Sequence, residues 1–210
     1  MLSRVHSTLA FGPLTISYDE TVLEPRPWTV AQSEWAAHLL HQLPAGRVLE
    51  LCCGAGQIGL AASALSGRDV VLVDSSMDAC KLSQLNAAAA GLEGSAEVRH
   101  GSMDEVLHHD ERFALVLSDP PYLPTDSTGL FPDDPAHAVD GGRDGLDLAR
   151  LSLDVAARHS DPGTPVLLQL RDLAQAQALA DELHDSHPLA HVETRVLDPR
   201  GAVLLLRRTD

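Results

Sequence analysis

The feature that most constrains this chain is a series of short, almost wholly apolar segments separated by helix-like stretches. Asp69–Asp74 (Asp-Val-Val-Leu-Val-Asp) is β-branched and apolar through its middle, and Arg47–Leu51, Phe113–Ser118 and Pro165–Leu170 read the same way. A strand without a polar face is buried on both sides, as in a parallel sheet covered by helices. The intervening segments have helical spacing: one opening at Gly54-Ala55-Gly56 and ending near Ser66-Gly67, then Met77–Ala90, Gly145–His159 and Leu173–His184. Ser75 or Ser76 is placed to cap the second of these, and Gly91 to stop it. Ala96–His100 reads as a weaker strand, and His191–Leu197 and Ala202–Arg208 as the last two. Only the turn sequence Asp198-Pro199-Arg200-Gly201 joins that final pair, too short for a parallel crossover, so the two strands run antiparallel. The expected fold is α/β: a doubly wound, mainly parallel seven-stranded sheet with a C-terminal antiparallel hairpin.

The N-terminal part differs. Val22-Leu23-Glu24-Pro25-Arg26-Pro27-Trp28-Thr29 carries two prolines that break regular structure locally. From Thr29 to Leu43 the residues Val30, Trp35, Leu39, Leu40 and Leu43 recur at helical spacing, with Thr29 as N-cap. Residues 1–44 are therefore read as a capping segment and helix laid over a main domain, residues 45–210. With 210 residues and 44% hydrophobic content, the chain has material for one sizeable core. Fifteen basic against thirty acidic residues leave a net charge of −15, which argues against a broad electrostatic grip on nucleic acid or anionic membrane. No apolar run approaches the roughly 20 residues of a membrane helix. Residues 1–10 hold no apolar h-region, so a secretory signal is not expected. Three cysteines, two of them adjacent, make no disulfide framework, and a reducing, cytoplasmic setting follows.

Ligands of doubly wound sheets bind beyond the carboxyl ends of the strands, and three sequence features fall there. Glu50-Leu51-Cys52-Cys53-Gly54-Ala55-Gly56 leaves the first strand and opens a helix, with Gly54 and Gly56 permitting a tight turn. Asp74, followed by Ser75, ends the second strand, where an acid commonly accepts hydrogen bonds from ribose hydroxyls. Gly101-Ser102-Met103-Asp104 follows the third, where Ser102 and Met103 are placed to hold an adenine. A phosphate ligand fits poorly: the third glycine and the Gly-Lys-Ser/Thr signature are missing, and Glu50 would repel pyrophosphate but suit a cationic amino acid. That combination points to S-adenosylmethionine. Paired histidines (His108-His109, and His184 with His187) lack structural-zinc spacing, and no metal is expected.

At the end of the fourth strand stands Ser118-Asp119-Pro120-Pro121-Tyr122. The prolines stiffen the strand exit. The Asp119 side chain and the Pro120 carbonyl are placed to accept both N–H bonds of a planar nitrogen, with Tyr122 stacked on the substrate. Catalysis there is orientation and electrostatics. The stretch resembles the Asn/Asp-Pro-Pro-Tyr/Phe motif of nitrogen methyltransferases. Val22–Thr29 and Gly141-Gly142-Arg143-Asp144-Gly145-Leu146-Asp147 look like the flanking segments of HemK/PrmC-type protein-glutamine N5-methyltransferases.

The resemblance runs from about Tyr18 onward and implies a Rossmann-like class I fold and S-adenosylmethionine as methyl donor. It further implies a protein substrate similar to a release factor, with Arg26, Pro27 and Trp28 bordering the substrate mouth. The length suits compact family members better than those with an added N-terminal helical domain. Two positions depart from the pattern. Cys52 stands where the family has the first loop glycine, and Asp119 where the glutamine enzymes have asparagine. An ionised Asp119 has no donor for a glutamine carbonyl and suits an amine such as adenine N6. Methylation of an adenine in RNA or DNA, or of a small-molecule amine, is therefore the alternative, and a non-catalytic relative that binds the cofactor is the remaining one.

Overall fold

The computed structural model describes residues 7–183, 187–197 and 201–209. The turn expected at 198–200, His184, and residues 1–6 of the stretch read for a secretory signal lie outside the described residues. The seven strands of the main sheet are β3 (Val48–Leu51), β4 (Val70–Asp74), β5 (Ala96–His100), β6 (Leu115–Ser118), β7 (Pro165–Leu170), β8 (Leu189–Val196) and β9 (Ala202–Arg208). They lie in the order β5-β4-β3-β6-β7-β9-β8. Strands β5, β4, β3, β6 and β7 pair in parallel, and β9 is antiparallel to both of its neighbours. The fold is the doubly wound α/β sheet with a terminal antiparallel hairpin that the apolar pattern demands.

Two-residue periodicity explains the two cores. Val48, Val70, Leu72, Leu115 and Leu117 face one layer, with α1 (Val30–Leu40), α2 (Gln57–Ser66) and α3 (Met77–Ala89). Leu49, Leu51, Val71, Val73 and Val116 face the other, with α5 (Asp147–Arg158) and α6 (Leu173–Leu183). Ser76 caps α3 as expected, its side chain accepting from the Ala79 amide at 3.3 Å. Thr29 does not cap α1. Its hydroxyl donates to the Arg26 carbonyl at 2.9 Å, closing the 3-10 turn Pro27–Thr29 that leads into the helix. The helix ends at Leu40 instead of Leu43, because the residue before Pro44 is driven out of helical geometry.

An N-terminal hairpin was not anticipated. Strands β1 (Ser7–Phe11) and β2 (Leu14–Tyr18) pair antiparallel across Gly12-Pro13, and Phe11 and Ile16 are buried in the first core layer. Asn86 of α3 fastens the hairpin to the sheet: its amide nitrogen donates to Ser17 and Ala55 carbonyls, each at 2.9 Å, and its oxygen accepts from the Ser17 amide at 2.8 Å. One side chain thus ties β2 to the glycine loop that follows β3.

Candidate active site

The carboxyl ends of β3, β4 and β6 open into a cleft enclosing about 1020 Å³, part of it open solvent at the mouth. The glycine loop supplies Cys52 and Gly54, the end of β4 supplies Asp74 and Ser75, and the β5 exit supplies Ser102 and Met103. The β6 exit contributes Asp119 and Pro121. Residues Val22 to Arg26 form a strap along one side, and the short helix α4 (Ala136–Val139) presents His137 and Ala138 from another. Arg26 of the strap reaches Asp134, just before α4, at 3.3 Å.

The loop geometry follows from two acids and a lack of bulk. Asp74 is held by two backbone amides: Gly54 donates to Oδ2 at 2.9 Å and Ser76 to Oδ1 at 2.8 Å. Burial nevertheless raises its pKa from the ordinary value, the two amides opposing the shift. Glu50 does not line the cleft. Its buried carboxylate lies behind the loop and accepts from the Gly59 amide of α2 at 2.9 Å, an approach that any Cβ at Gly59 would block. Burial raises the Glu50 pKa, and the field of Asp119 adds to the shift. Gly56, at φ +79, starts α2 wedged against Ser83, Leu60 and Leu72, also away from the ligand space.

Cys52 is the single non-glycine residue with positive φ among the described residues, at φ +57. The loop therefore requires left-handed backbone at the position where the resemblance predicts glycine, and a thiol occupies it under strain. Burial beside Asp74 and Asp119 raises the thiol pKa far above its ordinary value, so Cys52 is no nucleophile at neutral pH.

Asp119 faces the cleft and makes no hydrogen bond or ion pair among the described residues. Burial alone pushes its pKa up to about 7. Pro120 is buried, and no hydrogen bond is made to its carbonyl among the described residues. Tyr122 is half-buried beside the cleft, not on its lining, with its hydroxyl pushed up to about 12 by burial and the nearby Asp119. The Gly141–Asp147 segment acts from behind. A Cβ at Gly141 would stand 2.6 Å from the Pro121 carbonyl, and one at Gly145 would collide with that of Tyr122. The Gly141 amide donates to the Leu123 carbonyl at 2.8 Å, and Gln175 of α6 donates to Tyr122 at 3.0 Å. This segment buttresses the Pro-Pro-Tyr exit.

Of the residues singled out in the sequence, the cleft gathers Arg26, Cys52, Gly54, Asp74, Ser75, Ser102, Met103, Asp119 and Pro121. Pro27 and Trp28 stand on the 3-10 turn outside it. Arg207 and Arg208 lie at the opposite end of the sheet, because β9 runs antiparallel and pairs Arg207 with Pro165 at the start of β7. Gln57, His137, Leu148 and Leu151 line the cleft without having been singled out. Leu148 and Leu151 stand one turn apart at the start of α5, which read as ordinary core spacing.

Residues 33–130 match the family model for the methyltransferase small domain. The release factor glutamine methyltransferase of Mycolicibacterium smegmatis is 34% identical over 89% of this chain and 67% of its own length. The Xylella fastidiosa enzyme of that name is 31% identical over 94% of this chain and 72% of its own length. The chain thus spans about two thirds of the length of these relatives. Among solved structures, the ribosomal protein L11 methylase of Lactobacillus delbrueckii subsp. bulgaricus superposes with a TM-score of 0.67 at 14% identity, over 91% of this chain and 84% of its own. The catalytic domain of hMettl16 gives 0.73 at 13% identity, over 95% and 77%. At those identities the two structures bear on the fold alone. A Rossmann-like sheet, an acid at the end of β4, a Pro-Pro-Tyr exit at β6 and extended sequence identity agree: this chain belongs to the HemK/PrmC-type release factor glutamine methyltransferase family of S-adenosylmethionine-dependent enzymes.

Proposed function

We propose that the protein transfers a methyl group from S-adenosylmethionine to the side-chain amide nitrogen of a glutamine in a protein substrate similar to a release factor. The donor set of the cleft supports that cofactor. Asp74 lines the cleft in the grip of two backbone amides, whereas the cleft's one Lys or Arg among the described residues, Arg26, is paired with Asp134. Such a site favours a cation over a phosphate. Asp74 would accept from the ribose hydroxyls, Ser75 would border them, and Ser102 and Met103 would hold the adenine. The loop at Cys52 and Gly54 would cradle the methionine part. S-adenosylmethionine, when bound, supplies an electrophilic methyl on a sulfonium.

The observation that carries the reading is the half-buried, cleft-facing carboxyl of Asp119, without a partner among the described residues, on a rigid Pro-Pro-Tyr exit. In its neutral form Asp119 has a carbonyl acceptor for the substrate N–H and an O–H donor for the substrate carbonyl. It then does what the asparagine of the family does. The Pro120 carbonyl would take the second N–H, while Tyr122, beside the cleft and not on its lining, backs the exit. The clamp would turn the nitrogen lone pair toward the place of the cofactor's methyl group, and the proton displaced from the nitrogen would pass to water. A cytoplasmic, reducing setting is part of the proposal, supported by three free cysteines. Among the described residues no helix is long and apolar enough to cross a membrane.

The alternative acceptor, an amine such as adenine N6, is favoured by one observation, the carboxylate at residue 119 in its ionised form. The two readings separate by experiment. Labelled methyl transferred into a host lysate should be released by protease, and lost when the glutamine of a Gly-Gly-Gln-bearing protein is replaced. Transfer should fall as pH rises through about 7, since ionisation removes the O–H donor. Asp119→Asn should keep transfer and flatten that limb, while Asp119→Ala should abolish transfer with cofactor affinity within a few-fold. Label released by nuclease or filtration, with activity rising as Asp119 ionises, would overturn the glutamine reading.

A further inference from the structure

Gln32 lies in the first turn of α1, far in sequence from the β6 exit, and is completely buried. Its amide nitrogen donates to two main-chain carbonyls at once: Leu167 of β7 at 2.9 Å and Ser118 of β6 at 3.3 Å. Two acceptors dictate which end of the amide faces the sheet, because the carbonyl end would be repelled by both. The other end, Oε1, is buried without a hydrogen-bond partner. A buried polar atom without a partner carries a desolvation penalty, so whatever the amide contributes lies on its donor side.

Ser118 is the residue before Asp119, and the peptide joining them is planar. Holding the Ser118 carbonyl therefore fixes the plane from which the Asp119 backbone departs. The Ser118 side chain is held as well: its hydroxyl lies 3.0 Å from Ser152 Oγ of α5 and 3.4 Å from the Leu51 carbonyl. Gln32 completes this clamp from the opposite face of the sheet, linking β6 to β7 where both strands approach the cleft. Asp119 has no partner of its own among the described residues, so its direction depends on the backbone behind it.

We propose that Gln32 is a positioning residue for methyl transfer: by gripping the Ser118 carbonyl from α1, it holds the Asp119 carboxyl in its half-buried, cleft-facing position. The role in transfer rests on the function proposed above, but the effect on Asp119 can be measured without any substrate. Gln32→Met keeps the volume, removes the donor and removes the orphan oxygen. In cofactor-free protein carrying 13C-labelled aspartate, a loosened Asp119 becomes better hydrated, and its titration midpoint falls by about one pH unit towards the ordinary carboxylate value. Turnover on a glutamine-bearing protein falls on the order of tenfold in kcat, with S-adenosylmethionine affinity within about twofold. The melting temperature stays within a few degrees, which separates the effect from general destabilisation.

Gln32→Glu is the second variant. Its carboxyl donates one hydrogen bond when protonated and none when ionised, so activity relative to wild type recovers at low pH, which no apolar replacement achieves. An Asp119 midpoint and kcat both unchanged in Gln32→Met would overturn the positioning role. Wild-type protein that methylates no glutamine would overturn the function instead, leaving the Asp119 titration to decide the role of Gln32.

Discussion

At the scale of single residues, the two departures from the family pattern have physical consequences that can be measured. Loss of hydration on folding pushes the Asp119 carboxyl up to about 7 from an ordinary 3.8. Because the folded value is raised, the folded state keeps a proton that the unfolded chain gives up between those values. The stability present below about pH 4 is therefore lost progressively as pH rises to 7. Asp119→Asn should leave stability nearly unchanged at pH 4 and raise it by on the order of 2 kcal/mol at pH 8, read from urea unfolding at the two pH values. Equal effects at both would mean that the carboxyl is not buried as described. Cys52 holds left-handed backbone at φ +57. Glycine there removes a strain of about 1–2 kcal/mol and adds an unfolded-state entropy cost of about 0.5–1 kcal/mol. Cys52→Gly should thus raise the melting temperature by about 1–2 °C without weakening cofactor binding, and a lower melting temperature would show that the thiol's packing outweighs its strain. The position of the departure was legible in the sequence, but the sign of φ was not, since backbone handedness is set by the chain on both sides.

At the scale of elements, the helices and central strands were legible because each is long enough to show its period. Strands β4, β6 and β7 announce themselves as apolar runs, and α3 by its serine cap and terminal glycine. The β1–β2 hairpin was missed because its two five-residue strands carry only Phe11 and Ile16 as fully buried anchors, and their burial depends on a contact made far away, at Asn86. The strap was read as part of a capping segment, but α4 and the pairing of Arg26 with Asp134 escaped, although both residues were visible. Their pairing spans more than a hundred residues, and nothing local encodes it. Being partly exposed, that ion pair contributes little to stability, about 0–1 kcal/mol. Both partners sit on segments that line the cleft, so Asp134→Ala should instead quicken cofactor release several-fold at an almost unchanged melting temperature, as stopped-flow fluorescence would record. An unaltered release rate would mean that strap and helix do not gate the site.

For the whole molecule, the alternation of apolar strands and helices, the short last connection and the three strand-end motifs determined the sheet, its single antiparallel strand and the end at which ligands bind. These follow from the sequence alone because burial on both faces and connection length are local requirements that few topologies satisfy. The net charge of −15 likewise set the expectation against polyanion partners without reference to any fold. Only the tertiary structure decided where each acid points. Glu50, next to the last residue of β3, and Asp74, the last of β4, lie close together, yet the first turns back into α2 because Gly59 leaves room, while the second is held at the cleft by the amides of Gly54 and Ser76. It also decided that Gly141–Asp147 supports the Pro-Pro-Tyr exit from behind, and that a glutamine from the N-terminal helix grips the peptide before Asp119. Such outcomes depend on distances between residues tens of positions apart. A sequence specifies which groups must be buried or paired, but which of several competent partners each one meets is settled only when the elements pack.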